Sequence, residues 1–176
     1  MYGYCGTEAK FTAWLQSALR RLWAKHPSKL ELLRKKRVTL MVPHPKTGKK
    51  HPIFHIQCEE CGQLKKLKDI EVNHKKQVGG LSDLSKLQAF IENLLLVQPE
   101  DLELLCHECH GIVTYMEVQK VSKRDAIIEK KVIAFRKLPD AEQIAKCKAA
   151  KFDPIPKTKI GRARLVREYL KKVIPQ

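Results

Sequence analysis

Two Cys-x-x-Cys pairs, Cys58-Glu-Glu-Cys61 and Cys106-His-Glu-Cys109, constrain this chain more than any other feature of it. Four thiolates on two tight turns suit zinc, because the sulfurs neutralise the ion and the turns preset the S–Zn–S angles of a tetrahedral site. The spacing predicts a structural Zn²⁺ held by Cys58, Cys61, Cys106 and Cys109. Four thiolates leave no coordination position for water or substrate, so such an ion staples the fold and does no chemistry. The 44 residues between Cys61 and Cys106 are too many for a simple finger tip, so that loop must carry folded structure of its own. Cys5 and Cys147 fall outside the scheme and read as free thiols. His55 and His107 lie close enough to the knuckles to replace a cysteine, to support the site from behind, or simply to be exposed.

The Cys-x-x-Cys spacing of four of the six cysteines favours metal thiolates over disulfides if the compartment is reducing. The N-terminal MYGYCGTEAKF has no basic region followed by an apolar stretch, which predicts an intracellular protein without a secretory signal. No run approaches the ~20 apolar residues of a spanning helix, so no membrane is expected as a partner. The formal net charge is +16. Its distribution is uneven: 12 Lys and Arg face 2 acidic residues in 1–50, 6 face 10 in 51–116, and 17 face 7 in 117–176. A mildly acidic centre between two basic flanks suits a chain that grips a polyanion with its ends, and nucleic acid is the expected partner.

Phe11, Leu15, Ala18, Leu19 and Leu22 recur at helical spacing after Thr7 and Glu8, predicting an amphipathic helix over 8–25 that stops at Pro27. A second short helix is expected to start at Ser28, where Ser-Lys-Leu-Glu has the capping-box form. Residues 38–42 and 51–57 are rich in β-branched and apolar residues around a Pro-, Gly- and Lys-bearing turn, which predicts a hairpin leading into Cys58. A knuckle turn and one strand ending at Asn73 are expected over 62–73, a helix over 83–96, and a long helix or a helix pair after Cys106. Pro139, Pro154 and Pro156 interrupt the tail. The last segment, IGRARLVREYLKKVI, reads as a basic helix with Leu165, Val166, Tyr169, Leu170 and Val173 on one side.

EVNHKKQVGG, lying between the cysteine pairs, and DLELLCHECHGIVT, spanning the second, together resemble the HNH endonuclease family, in particular small phage-encoded members. The likeness covers about residues 56–116. It implies an α+β fold whose centre is a ββα-metal unit, two short strands and a helix around one divalent cation, stapled by the four-cysteine zinc site and flanked by basic helical arms. Carried over by position, His74 becomes the general base that activates water, Asn73 a metal ligand, Asp101 the middle residue of the motif, and His110 the helix ligand. Asn73 stands where the family usually has Asp or His, and Asp101 where it has Asn. One carboxylate and one amide would still face the cation, as a reciprocal exchange. Val113 occupies the place of a further helix His or Lys, so water and phosphate oxygens would complete the shell of a hard ion such as Mg²⁺ or Mn²⁺.

The implied activity is metal-dependent hydrolysis of phosphodiester bonds in duplex DNA, by nicking or by double-strand cutting, in a phage-encoded nuclease working in the host cytoplasm, with intron homing as one role open to it. Residues 1–50 would be a basic helical region with the hairpin start, 51–120 the zinc-stapled nuclease core, and 121–176 a basic helical DNA-binding region. Lys75 and Lys76 would contact phosphates beside the scissile bond. Arg162, Arg164 and Arg167 would reach phosphates or guanine edges from a tail helix lying in a groove; the other reading of that helix is an amphipathic element packed on the core. The alternative function is a zinc-ribbon nucleic-acid-binding module with a degenerate pocket, and a third is a basic interaction protein that binds acidic partners.

Overall fold

The structure is a computed structural model that describes residues 2–175. It is a mixture of helices and small antiparallel sheets, an α+β fold. The chain forms two compact units, one up to His110 and one from Gly111 onward. Among the described residues no helix is long and apolar enough to cross a membrane.

In the first unit α1 (Glu8–Trp23) starts where Thr7 Oγ1 accepts the Lys10 N–H at 3.4 Å, freeing one turn-end donor from solvent. It is followed by α2 (Pro27–Lys36), which Pro27 opens at its first helical position. Pro27 lacks an N–H, and the first turn of a helix has no internal use for one. The expected capping box at Ser28 is thereby corrected: Ser28 lies inside the helix and its hydroxyl donates to the Val97 carbonyl at 2.7 Å. Strands β1 (Val38–Pro43) and β2 (Lys50–Gln57) form the anticipated hairpin, and the short β3 (Leu64–Lys66) pairs with the end of β2.

The single strand expected over 62–73 is divided. A 3-10 turn at Leu67–Asp69 separates β3 from β4 (Ile70–His74), and β4 leaves the first sheet to pair with β5 (Leu102–Cys106). The chain between them forms a 3-10 turn at Leu84–Lys86 running into α3 (Leu87–Leu95), and a second at Pro99–Asp101. Leu81, Phe90 and Leu94 are buried against Leu15, Leu19 and Trp23, so the apolar stripe of α1 is covered by α3. After β5 comes α4 (His107–Gln119), whose first turn belongs to this unit.

The second unit holds the rest of α4, then α5 (Lys123–Arg136), α6 (Asp140–Ala149) and α7 (Lys159–Val173), so the chain beyond Cys106 resolves as separate helices. Pro139 immediately precedes α6 without a side-chain capping bond, and Thr158 Oγ1 caps α7 by accepting the Gly161 N–H at 3.0 Å. Ile128 and Val132 of α5 pack on Ala163, Val166 and Leu170 of α7. The expected stripe of α7 is thus rotated: Ala163 joins the core, whereas Tyr169 and Val173 are exposed.

Candidate metal centre and adjoining histidine site

The four cysteines of the two pairs converge. Their Sγ atoms all lie within 4.8 Å of one another, and among the described residues this is the one such group of three or more His, Cys, Asp or Glu ligand atoms. Cys58 and Cys61 flank a turn at the end of β2, closed by the Gly62 N–H donating to the Cys58 carbonyl at 2.9 Å. Gly62 has φ +69, a left-handed conformation that a side chain would strain. Cys106 ends β5 and Cys109 lies in the first turn of α4, so the second knuckle is a strand-to-helix junction. The Cys106 N–H donates to Cys58 Sγ at 3.3 Å and ties the two knuckles together.

Burial pushes the Cys58 thiol up, but the backbone N–H groups of Cys61, Cys106 and Glu60 outweigh it and hold the group down at about 7. Cys109 is pushed well above the usual thiol range, by burial first and by its three sulfur neighbours second. Four sulfurs at this separation, three of them on buried cysteines with Cys61 exposed and one supplied with N–H donors that stabilise a thiolate, form a donor set that could hold a metal ion such as zinc.

His74 ends β4 directly opposite Leu102, and Asn73 faces Glu103. The His74 ring lies over Trp23 of α1, with centroids 4.2 Å apart, and its Nε2 is 3.1 Å from the Leu94 carbonyl of α3. A carbonyl only accepts, so Nε2 carries the proton and Nδ1 keeps the lone pair. Burial lowers the His74 pKa from its ordinary value, the Leu94 hydrogen bond opposes it, and the charges of Arg20, His26 and Lys29 add to the lowering. The ring is therefore a neutral base near pH 7.

Two cavities meet at His74. One of 360 Å³ is lined by His74, Lys75, Lys76, Asn93, Glu100 and Asp101. The other, of 430 Å³, has Arg20, Lys29, Glu71, Asn73, His74 and His110 in its wall. The expected residues are thus divided between them, with His74 in both. Asn73 and His110 share the second cavity, and Asp101 lies in the first. The Asp101 carboxylate accepts the Gln98 N–H at 2.8 Å, its carbonyl accepts the Lys75 N–H at 2.9 Å, and the Lys75 ammonium donates to the Glu100 carbonyl at 2.6 Å. The Asn73 amide donates to Glu103 at 2.8 Å, which turns its carbonyl oxygen away from that partner.

Glu71 was not singled out from the sequence. Its carboxylate receives His110 Nδ1 at 2.9 Å and His107 Nδ1 at 2.5 Å. That contact fixes Nδ1–H on His110 and leaves its Nε2 as a possible ligand, the arrangement by which a carboxylate orients a metal-binding imidazole. The hydrogen bond to Glu71, more than the charge of Asp69, raises the pKa of His107. The period-2 alternation of a strand places Glu71 on the same face as Asn73, and this signal was available in EVNH. Nothing local announced Trp23. His107 is a partner of Glu71 and not a substitute for a cysteine, and His55 bonds to the Ile53 carbonyl.

The basic tail residues divide sharply. Arg162 is 1% exposed, and its guanidinium donates to Gln143 Oε1 at 3.1 Å, Asp140 Oδ1 at 2.8 Å and the Lys157 carbonyl at 2.7 Å. Its expected place on a nucleic-acid surface is corrected by this burial. Arg167 makes a two-pronged bond to Glu129, at 2.5 and 2.8 Å, and only Arg164 of the three is exposed.

No family model matches the chain, and no curated protein or solved structure matches it either.

Proposed function

We propose that this protein is a zinc-stapled, metal-dependent DNA endonuclease of the HNH type, with His74 as the base. The observation that carries this reading is the position of His74. A half-buried imidazole of lowered pKa, with one nitrogen committed to a carbonyl, ends a strand of a strand–strand–helix unit and borders two cavities. Lys75 and Lys76 on one side suit phosphate oxygens. On the other side the Glu71 carboxylate, the Asn73 amide oxygen and His110 Nε2 are donors of the kind a Mg²⁺ or Mn²⁺ ion accepts, with the remaining positions left to water and phosphate. Such a cation, when bound, would offset charge on the phosphate oxygens and the leaving group.

The residues of the chain then divide the work. His74 Nδ1 takes a proton from the attacking water, Trp23 holds the ring through their tilted ring contact, and the Leu94 carbonyl fixes its tautomer. Glu71 orients His110. Lys75 and Lys76 position the phosphate and supply opposite charge. The ion at the four cysteines, zinc in this reading, stays outside the reaction and holds the end of β5 and the start of α4 in place, and so holds His110.

A second reading has its own observation. Asp101 and Asn73 are engaged by neighbouring groups and border different cavities, as they would in a zinc-ribbon DNA-binding module whose pocket has lost its chemistry. Nicking of supercoiled plasmid with Mg²⁺ or Mn²⁺ separates the two. The nuclease reading expects cutting that His74→Ala reduces by at least about 100-fold, with gel-shift affinity retained. No cutting by the wild type, with affinity intact, leaves the binding module.

A further inference from the structure

From Leu32 to Cys58 the chain carries seven Lys and Arg and not one Asp or Glu. Lys35 is spent on an ion pair with Glu31 at 2.6 Å, but Lys46, Lys49 and Lys50 form no ion pair among the described residues. These three lie at the tip of the β1–β2 hairpin. The tip is closed by the His44 N–H donating to the Lys49 carbonyl and the Gly48 N–H donating to the His44 carbonyl, both at 2.9 Å. Gly48 adopts φ +68 there, so the turn has a defined shape.

β3 pairs only with His55, Ile56 and Gln57, so from Phe54 to the tip the hairpin is a two-stranded ribbon. Side chains of opposed residues share a face. Leu40 with Ile53 and Val42 with His51 make one face, of which Ile53, Val42 and His51 are half-buried. Thr39, Met41, Pro43, Lys50, Pro52 and Phe54 make the other, and every one of them is exposed. Met41 is 57% exposed, and the Arg37 guanidinium lies 4.5 Å over the Phe54 ring. A contiguous uncovered apolar face rimmed by cations marks an interaction surface.

We propose that this ribbon is a duplex-DNA docking element, with Lys46, Lys49 and Lys50 on phosphates and the Met41/Phe54 face toward base edges. The inference rests on the reading of the chain as a protein that acts on duplex DNA, and it names the element that holds the substrate. Six residues of β1 reach about 20 Å at ~3.3 Å each. The major groove, about 12 Å wide, admits a two-stranded ribbon, and apolar side chains can meet the thymine methyl there. Pairing of the free β1 edge with another strand is the competing use of such an element, yet the lysines around it disfavour strand addition, whereas the absence of acidic groups favours a polyanion.

The test is fluorescence anisotropy of a labelled 25-base-pair duplex, roughly two turns of B-DNA, titrated with the full-length zinc-loaded protein over a range of salt. Replacing Lys46, Lys49 and Lys50 with Gln should lower the slope of log K against log salt by about 3, and each single replacement by about 1. M41S/F54S should weaken binding and leave the slope unchanged. Unaltered far-UV spectra and zinc content verify folding, and the single variants at the exposed turn serve if the triple one does not fold. An unchanged slope in all the lysine variants overturns the proposal, as does salt-insensitive self-association abolished by M41S/F54S in place of DNA binding. Failure of the nuclease reading shows differently, as absent cutting with the lysine-dependent slope intact.

Discussion

Arg162 shows how much the partner of a charge matters. Three atoms of its guanidinium hold together the loop before α7, the start of α6 and Gln143, which itself is wholly buried and bonds to the Leu138 carbonyl at 2.9 Å. Removing one side of a buried, hydrogen-bonded charge leaves the other groups unpaired, and that cost exceeds what the pair contributed against water. Arg162→Met should therefore destabilise the second unit by roughly 2–4 kcal/mol, read in urea unfolding, whereas Arg164→Met changes stability by less than about 0.5 kcal/mol. Equal effects of the two would refute the burial argument. His74 and Glu71 follow the same logic at the candidate site: each is defined by its neighbours, since Trp23 covers the imidazole of the first and α4 supplies two imidazoles to the carboxylate of the second.

At the level of elements, the start of α7 is decided by one missing atom. A Cβ on Gly161 would stand 2.7 Å from Pro156 Cβ and 3.1 Å from Thr158 Oγ1. Alanine is the better helix former by about 1 kcal/mol. Overpacking against a proline ring that cannot swing aside costs about 1–3 kcal/mol. The clash wins, and it also disturbs the capping bond of Thr158. Gly161→Ala is expected to lower the stability of the second unit, while the same change at the exposed Gly48 acts through its positive φ and leaves that unit alone. A Gly161→Ala protein as stable as the parent would show that the loop before α7 gives way easily. The β4–β5 pair illustrates a further point about elements: β4 follows β3 after one 3-10 turn but pairs in another sheet. That switch places His74 beside α1 and α3 rather than on the hairpin.

For the whole molecule, the cysteine cluster and the tryptophans give a clean measurement. Trp14 and Trp23 both lie in α1, and both cysteine pairs belong to the same first unit. Metal-binding free energy at such a site is folding free energy. Chelation is expected to shift tryptophan emission to longer wavelength and lower the melting of the first unit by more than about 10 °C, while the helical signal of α5–α7, which contain only Cys147, persists. Unaltered emission after complete chelation would mean that the sulfurs do not staple the fold. The sequence by itself determined the knuckles, the first helix with its Thr7 cap, the β1–β2 hairpin and the two basic flanks, because these depend on spacing over a few residues or on composition. Only the tertiary structure decided that Arg162 is buried and Arg167 paired, that Asp101 and His110 border different cavities, and that Glu71 joins the histidines of α4. Those outcomes depend on which distant segments pack together, and burial and partnership are properties of that packing, which no local periodicity encodes.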